Sequence, residues 1–373
     1  MHPNYILAIN PGSTSTKIAV YQGNKSIFLK TIRHESEELA KFKCVADQFQ
    51  FRKDLILKEV LDNSVPLEEI VIVIGRGGLV NPIESGVYEV NKLMMDDIRD
   101  SKLGEHASNL GGLIAADIAK DLKNAKAYIA DPVVVDELDD VARLTGLPSL
   151  EKVSIFHALN QKATARTYAH SRGMRYEDLK LIIAHLGGGI SVGAHKNGRV
   201  IDVNNGLDGD GPFSPERSGS LPSGALAKLC FEEGRTYEEV RKMIIGRGGL
   251  MAYLGTNDAH KLERMAREGD PKAKLIQDAM AYQISKEIGS LSTVLGGEVH
   301  AIILTGGIAH NPDITGYIKE RVSFIAPVFI YPGEDEMRAL AMNGDLLLKG
   351  HISAREYKQE NFVKGLNWDH INN

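Results

Sequence analysis

Cysteine is nearly absent from this chain: Cys44 and Cys230 stand far apart and form no Cys-x-x-Cys pair. A disulfide framework and a thiolate metal site are excluded on that count, and a reducing compartment fits. Aromatic residues make up 6% of the sequence, with a single Trp, so no base-stacking surface is expected. Positive charge is not in excess either, since 44 Lys and Arg face 49 Asp and Glu for a formal net charge of −5. No basic field is available for nucleic acid, and any phosphate must be held by local groups. No apolar run approaches the ~20 residues that span a bilayer, and no basic-then-apolar leader precedes the first apolar stretch. A cytoplasmic protein with no membrane partner is expected.

Glycine is abundant by contrast, with 37 residues, and two glycine- and hydroxyl-rich turns stand out. Asn10-Pro11-Gly12-Ser13-Thr14-Ser15-Thr16-Lys17 lies between the apolar stretches 5–9 and 18–21. His185-Leu186-Gly187-Gly188-Gly189-Ile190-Ser191 lies between 181–184 and 192–194. Glycines let backbone approach a ligand closely, and hydroxyls and freed amides then donate to anionic oxygens. Two such turns, each opening one half of the chain, read as a pair of phosphate clamps.

A chain of 373 residues exceeds the size of one ordinary core, so two domains are expected. The first half reads as strands at 5–10, 16–22 and 25–33, a helix at 47–62, a buried strand at 70–74, a helix at 109–122 and a strand at 127–130. From about residue 180 the pattern repeats, with strands at 181–186, 190–196 and 199–204. Helices come next at 222–233, 236–245, 258–268 and 271–295, then a strand at 300–304, a helix from Pro312, a strand at 327–331 and a closing helix from Asp335. Domain limits are placed at 1–150 plus 341–373, and 151–340.

Several residues sit where chemistry is possible. Asn10 can hydrogen-bond a phosphoryl oxygen without adding negative charge, or simply make an Asx turn before Pro11. Gly12, Ser13, Thr14 and Ser15 supply donors, and Lys17 either reaches the phosphates or is solvated. Arg76, in Gly75-Arg76-Gly77-Gly78, can fork onto a carboxylate or phosphate, or be a loop arginine. Arg217, in a loop stiffened by Pro212 and Pro215, can do the same or pair with Glu216. Asp131 ends a short strand and either faces a cleft or starts a turn. His185 precedes Gly187, Gly188 and Gly189, where it can donate to a transferring phosphoryl group or be a satisfied core histidine. His106 is a weaker second candidate. In Thr305-Gly306-Gly307-Ile308, with Asn311 beyond, the glycines leave room for a flat adenine. Glu336 can face a bound Mg²⁺, directly or through water, or favour the dipole of its helix.

Together these residues resemble the acetate kinase and butyrate kinase family along essentially the whole chain. Asn10–Lys17 is similar to the family's first phosphate motif, His185–Ser191 to its second, and Leu304–Ile308 to its adenosine motif. Arg76 and Arg217 fall where the family has its two cleft arginines, and Asp131, His106 and Glu336 match its aspartate, second histidine and metal-associated glutamate. The resemblance implies an α/β fold of duplicated actin-like ATPase (RNase H-like) domains, each a mixed five-stranded sheet flanked by helices, with ATP in the interdomain cleft. It implies direct in-line transfer from ATP, with Mg²⁺, to a short-chain carboxylate, in a homodimer or higher homo-oligomer. Arg76, Arg217, Asp131 and His185 would be catalytic, Asn10 would join Glu336 near the metal, and Gly306, Gly307, Ile308 and Asn311 would hold the nucleoside.

Acetate kinases commonly carry an aromatic where this chain has Ala184, and valines where it has Gly77 and Gly78. Small residues there imply a pocket for butyrate or isobutyrate rather than acetate, each buried methylene being worth about 0.8 kcal/mol. A sugar kinase of the same architecture would need a base, for which Asp131 is the evident candidate. A nucleotide-switched, actin-like protein without enzymatic activity is the other alternative, and no peptide-binding domain follows the closing helix to favour it.

Overall fold

Short β-branched runs such as Ile70-Val71-Ile72-Val73-Ile74 can be satisfied only where both faces of a strand are covered, and such strands form the centre of each half. The structure, a computed structural model, describes residues 4–100, 104 and 106–366. They fall into two compact units: residues through Asp136 with Asp335–Lys364, and Glu137–Glu334 with residues 365 and 366. The boundaries thus lie near 136 and 334 rather than at 150 and 340. The helix Glu336–Leu348 explains the second shift, because Gly344 on it packs against Ile6 and Ile72 of the first unit's sheet.

In the first unit the strands are β1 (Tyr5–Pro11), β2 (Ser15–Gln22), β3 (Lys25–Arg33), β4 (Ile70–Arg76), β5 (Val87–Glu89) and β6 (Lys126–Ala130). In the second they are β7 (Lys180–Leu186), β8 (Ile190–Lys196), β9 (Arg199–Val203), β10 (Ala301–Gly306) and β11 (Val328–Pro332). The order β3-β2-β1-β4-β6 in one sheet is repeated as β9-β8-β7-β10-β11 in the other. In both, the first three strands are antiparallel neighbours and the last two run parallel to the first. The duplication is therefore topological. The first sheet has seven strands, not five, because β5 joins antiparallel to β6 and Arg355–Glu356 pairs with β5. These additions are too short to carry an alternating pattern.

Helices Phe49–Asp62 and Asn109–Asp121 cover one face of the first sheet, where Ile56, Val60, Leu110, Ile114 and Ile118 meet Leu7, Ile9, Ile18 and Val73. In the second unit, helices Pro271–Val294 and Pro312–Val322 cover the face carrying Ile182, Ala184, Val192 and Leu304. The opposite face, with Leu181, Ile183 and Ile303, is covered by helix Ala158–Ser171 through Ala165, Tyr168 and Ala169. That helix is absent from the sequence reading because its buried side also carries Asn160, Gln161, Lys162 and Thr164, which erase the apolar period. Among the described residues no helix is long and apolar enough to cross a membrane.

Helix Asn109–Asp121 lies unusually close to β4. A Cβ on Gly75 would strike the backbone of Gly111, and one on Gly111 would strike the Arg76 carbonyl. These glycines bring the helix against the strand end and so fix where Arg76 emerges. Gly111→Ala is expected to destabilise the protein by about 1–3 kcal/mol, the usual cost of overpacking, although alanine is the better helix former. Gly289→Ala, in a helix where nothing lies within 4 Å of the added Cβ, is expected to stabilise by up to about 1 kcal/mol. Thermal unfolding of both variants checks the pair; equal shifts would contradict the packing account.

Candidate active site

In the first unit the polar residues gather where the parallel strands end. The turn after β1 is closed by the Gly12 amide donating to the Ser15 carbonyl at 2.7 Å. Asn10 stands directly across from exposed Lys17 in the β1–β2 ladder. Its Nδ2 donates to Glu336 Oε2, while its buried Oδ1 has no hydrogen-bond partner among the described residues. Arg76 closes the cluster, with Nη1 at 3.0 Å from Glu336 Oε1 and donating to Oε2 at 3.1 Å. An open amide oxygen beside a carboxylate already shared with a guanidinium suits a hydrated cation better than a directly bound one. No group of three or more acidic, His or Cys side chains fit to hold a metal occurs among the described residues.

Arg52, which the sequence reading passed over, holds this turn from behind. Its Nη1 donates to the carbonyls of Gly12 at 2.8 Å and Ser15 at 3.2 Å, and its Nη2 to that of Ser13 at 3.3 Å. Ser13 and Thr14 are exposed at the tip.

Asp131 follows β6 with φ of 38°, a left-handed conformation unusual for a non-glycine residue. Its Oδ1 accepts from Ser85 Oγ at 2.6 Å and the Gly86 amide at 2.9 Å. Gly78 is small for packing reasons, since a Cβ there would collide with Asn109. Asn109, also missed, accepts from the Leu79 amide and donates to the Gly104 carbonyl, tying the loop after Arg76 to the segment before its helix. His106 is exposed, and its Nδ1 accepts from the Ser108 amide at 3.2 Å and meets Ser108 Oγ at 2.8 Å.

In the second unit His185 is an inner ring. It is 1% exposed, its Nδ1 is 2.8 Å from Asn160 Oδ1, and its Nε2 faces Glu334 Oε2 at 3.8 Å. Since Asn160 Oδ1 can only accept, Nδ1 carries a proton. His157 stacks on it at 3.8 Å between ring centroids and 12° between planes. His157 is the more accessible ring, and the sequence reading did not single it out.

A directed hydrogen-bond chain sets the tautomer of His157. Burial and the Lys162 cation hold the His195 pKa well below the ordinary value, so that ring is neutral. Tyr176 Oη donates to His195 Nδ1 at 2.7 Å, and His195 Nε2 donates to Gln161 Oε1 at 2.9 Å. Gln161 Nε2 donates to Ser191 Oγ at 2.9 Å, which also accepts from the His157 amide at 3.3 Å. The Ser191 hydroxyl proton is left for His157 Nδ1, 2.8 Å away. His157 therefore carries its own proton on Nε2.

Arg217 lies on the triple-glycine turn: a Cβ on Gly189 would overlap its guanidinium. Its Nη1 donates to the Gly206 carbonyl, and burial lowers its pKa while Glu216 raises it. Ser214 Oγ donates to the Gly188 carbonyl at 2.7 Å, fastening the same loop to the turn. Gly187 and Gly188 line a cavity of about 250 Å³ together with Gly307, Ile308 and Asn311. Asn257, His260, Glu263 and Glu334 complete its polar wall and were not anticipated. Two of the expected nucleotide residues have structural duties: Gly306 (φ 89°) packs on Leu186, and Asn311 caps helix Pro312–Val322 by accepting from Asp313 and Ile314 amides. The expectation for Ala184 is corrected. It is fully buried and faces the core with Ile182 and Leu186, opposite to His185, because successive strand residues alternate in direction. Among the described residues, Ala184 packs into the core and Gly78 against Asn109.

Residues 153–323 match the family model described as the Acetokinase family. Over 353 residues the chain is 56% identical to butyrate kinase 1 of Clostridium acetobutylicum, covering 95% of this chain and 99% of that protein. Butyrate kinase 2 of the same organism is 55% identical over the same length. Among solved structures, acetate kinase from Porphyromonas gingivalis superposes with a TM-score of 0.77 at 18% identity, over 92% of this chain and 100% of that one. A propionate kinase from Francisella tularensis gives 0.73 at 19%, over 91% and 98%. The duplicated fold expected from the sequence is thus the fold of the acetate kinases.

Ala184→Phe separates a core position from a pocket wall. Inserting a ring into the face covered by helix Pro271–Val294 is expected to destabilise by about 1–3 kcal/mol or more, with no selective change in acid preference. A folded variant of unchanged melting temperature that prefers shorter acids would restore the pocket reading.

Proposed function

Because the chain belongs to the acetate and butyrate kinase family, we propose that it reversibly transfers the γ-phosphoryl group of ATP to butyrate, giving butyryl phosphate. The observation that carries the nucleotide part is the shared cavity of Gly187, Gly188, Gly307 and Ile308, which joins a phosphate turn to an adenosine-type motif. The acid is taken from the full-length relatives named butyrate kinase. A short-chain carboxylate is ionised near neutral pH, so it needs no general base, and catalysis reduces to positioning and charge stabilisation. This favours acid over sugar as acceptor, because Asp131 Oδ1 already holds the Ser85–Gly86 turn.

Arg76 engages Glu336 through Nη1 alone among the described residues, leaving Nε and Nη2 to orient the butyrate carboxylate. Arg217 offers a guanidinium at the triple-glycine turn to charge developing on the phosphoryl group. His157 offers Nε2–H to the same charge, while His185 supports it as the stacked inner ring. Asn10 and Glu336 would hold Mg²⁺ through water, and the ion would shield the ATP phosphates.

We place a homo-oligomer contact on the apolar side chains left exposed in the second unit. Phe231 is 88% exposed and Leu275 69%, and Leu221, Tyr253 and Leu275 line a groove of about 600 Å³. Work in the cytoplasm fits the supply of ATP and free acid. Phe231→Glu is expected to lower the oligomeric state in light scattering; an unchanged mass would move the contact elsewhere.

Trapping acyl phosphate as hydroxamate across C2 to C6 acids, with ATP and Mg²⁺, tests the reaction. Butyrate or isobutyrate is expected to exceed acetate in kcat/KM by about tenfold or more, the worth of two buried methylenes. Acetate as best acid, or no hydroxamate at all, would sink the reading. In the same assay His157→Ala is expected to lose roughly 10²–10³-fold in kcat, with ATP affinity little changed. His157→Gln, which keeps an N–H donor, should retain part of the activity. Equal losses in both would remove the donor role.

A further inference from the structure

Arg52 is the largest of the fully buried side chains, at 1% exposure, and nothing in the transfer chemistry above uses it. It occupies the first turn of helix Phe49–Asp62, where a cation is the wrong sign for the helix dipole. It forms no ion pair among the described residues. All its acceptors are neutral: the carbonyls of Gly12, Ser13 and Ser15, the Thr16 hydroxyl at 3.0 Å, and Gln48 Oε1 at 3.1 Å from Nε and 2.8 Å from Nη2. A buried cation is normally compensated by a carboxylate. Its neighbour Lys53 obeys that rule, with Asp117 at 2.5 Å and Asp121 at 3.1 Å. The cost of leaving Arg52 unpaired shows in burial lowering its pKa to about 10.

The geometry says what the charge is for. In a trans peptide the C=O of one residue and the N–H of the next point in opposite directions. Carbonyls of Gly12 and Ser13 drawn toward Arg52 therefore turn the amides of Ser13 and Thr14 away from it, at the exposed tip of the turn. Neither amide donates to a backbone or side-chain acceptor among the described residues. Successive outward amides form an anion-binding concavity. His34 adds no second charge behind the turn: Thr16, which accepts from Arg52, has its hydroxyl proton free for His34 Nε2 at 2.8 Å. His34 is held neutral, its pKa lowered to about 4 by burial and by the Arg52 charge, with Glu38 opposing.

We propose that Arg52 is a positioning residue of the first phosphate turn. Its uncompensated guanidinium fixes the Ser13 and Thr14 amides outward, and its charge draws phosphoryl oxygens to them. The proposal rests on the ATP-binding reading above and goes beyond it, because it makes phosphate affinity depend on a side chain that no ligand can touch.

Gln48→Glu tests the charge directly. It keeps the guanidinium and its hydrogen bonds but places a carboxylate against it. Calorimetric titration of the full chain with ATP and, separately, with adenosine reads the effect. ATP affinity is expected to fall on the order of tenfold, about 1.4 kcal/mol, with adenosine affinity within about twofold and the melting temperature unchanged or raised. Gln50→Glu, exposed on the same helix, should leave both affinities unchanged. Arg52→Lys should keep part of the ATP affinity and Arg52→Met little. Gln48→Glu binding ATP as the wild type does would overturn the proposal, as would an equal loss for adenosine or in Gln50→Glu. A wild-type chain that binds ATP no better than adenosine would overturn both this proposal and the kinase reading. One that binds ATP well but makes no acyl phosphate would overturn the kinase reading alone.

Discussion

Parallel strands buried on both faces are the constraint on which this molecule depends. In the interior of β1, β4, β7 and β10 almost every side chain is covered, so polar groups are pushed to the strand ends. Asn10 and Arg76 stand at two such ends and Asp131 directly after a third; His185 and Gly306 hold the same place in the second unit. The carboxyl ends of strands in open α/β sheets are where ligands are bound. Duplicating the sheet duplicates that opportunity, and the chain has filled it differently each time. The first unit offers an amide, a guanidinium and outward peptide groups; the second offers imidazoles and bare glycine backbone.

Glycine has a different job in each place, and this limits what its presence can be taken to mean. In Gly75-Arg76-Gly77-Gly78 the glycines serve packing, against Gly111, Pro132 and Asn109 respectively. In Gly187-Gly188-Gly189 the third makes room for Arg217, and the first two form a cavity wall. Both strings look like ligand loops in sequence. The second exposes backbone to a cavity of its own unit.

Much of the fold was legible because buried strands and amphipathic helices write a period into the sequence. The strand triplets, the parallel strands after them and the closing helix all fall within a few residues of expectation. Helix Ala158–Ser171 was not legible, and with it went His157, Asn160 and Gln161. Its inward side is polar because it serves hydrogen bonds rather than oil, and the same property hides it. Arg52 was missed for a related reason: an arginine in a helix reads as surface, and the backbone carbonyls it holds are 37 to 40 positions away in the chain. The expectation for Ala184 treated a residue beside a candidate histidine as sharing its surroundings, whereas the pleat sends the two to opposite faces.

The second unit shows how a neutral histidine can be made a dependable donor. An imidazole has two tautomers, and only one presents N–H to a ligand. Here the choice is made far from the ring. Gln161 Nε2 is held by the Ser191 carbonyl at 3.0 Å and hydroxyl at 2.9 Å, so its Oε1 faces His195, and a His195 that burial and Lys162 keep neutral must donate to it from Nε2. With both lone pairs of Ser191 Oγ engaged by Gln161 and the His157 amide, its hydrogen has one place to go. Gly193 makes this possible, since a Cβ there would fall 2.7 Å from Gln161 Oε1. The tautomer of the outer imidazole thus depends on Gln161 and on the glycine that makes room for it, both behind the serine, and a substitution at either would release the constraint without altering the ring itself.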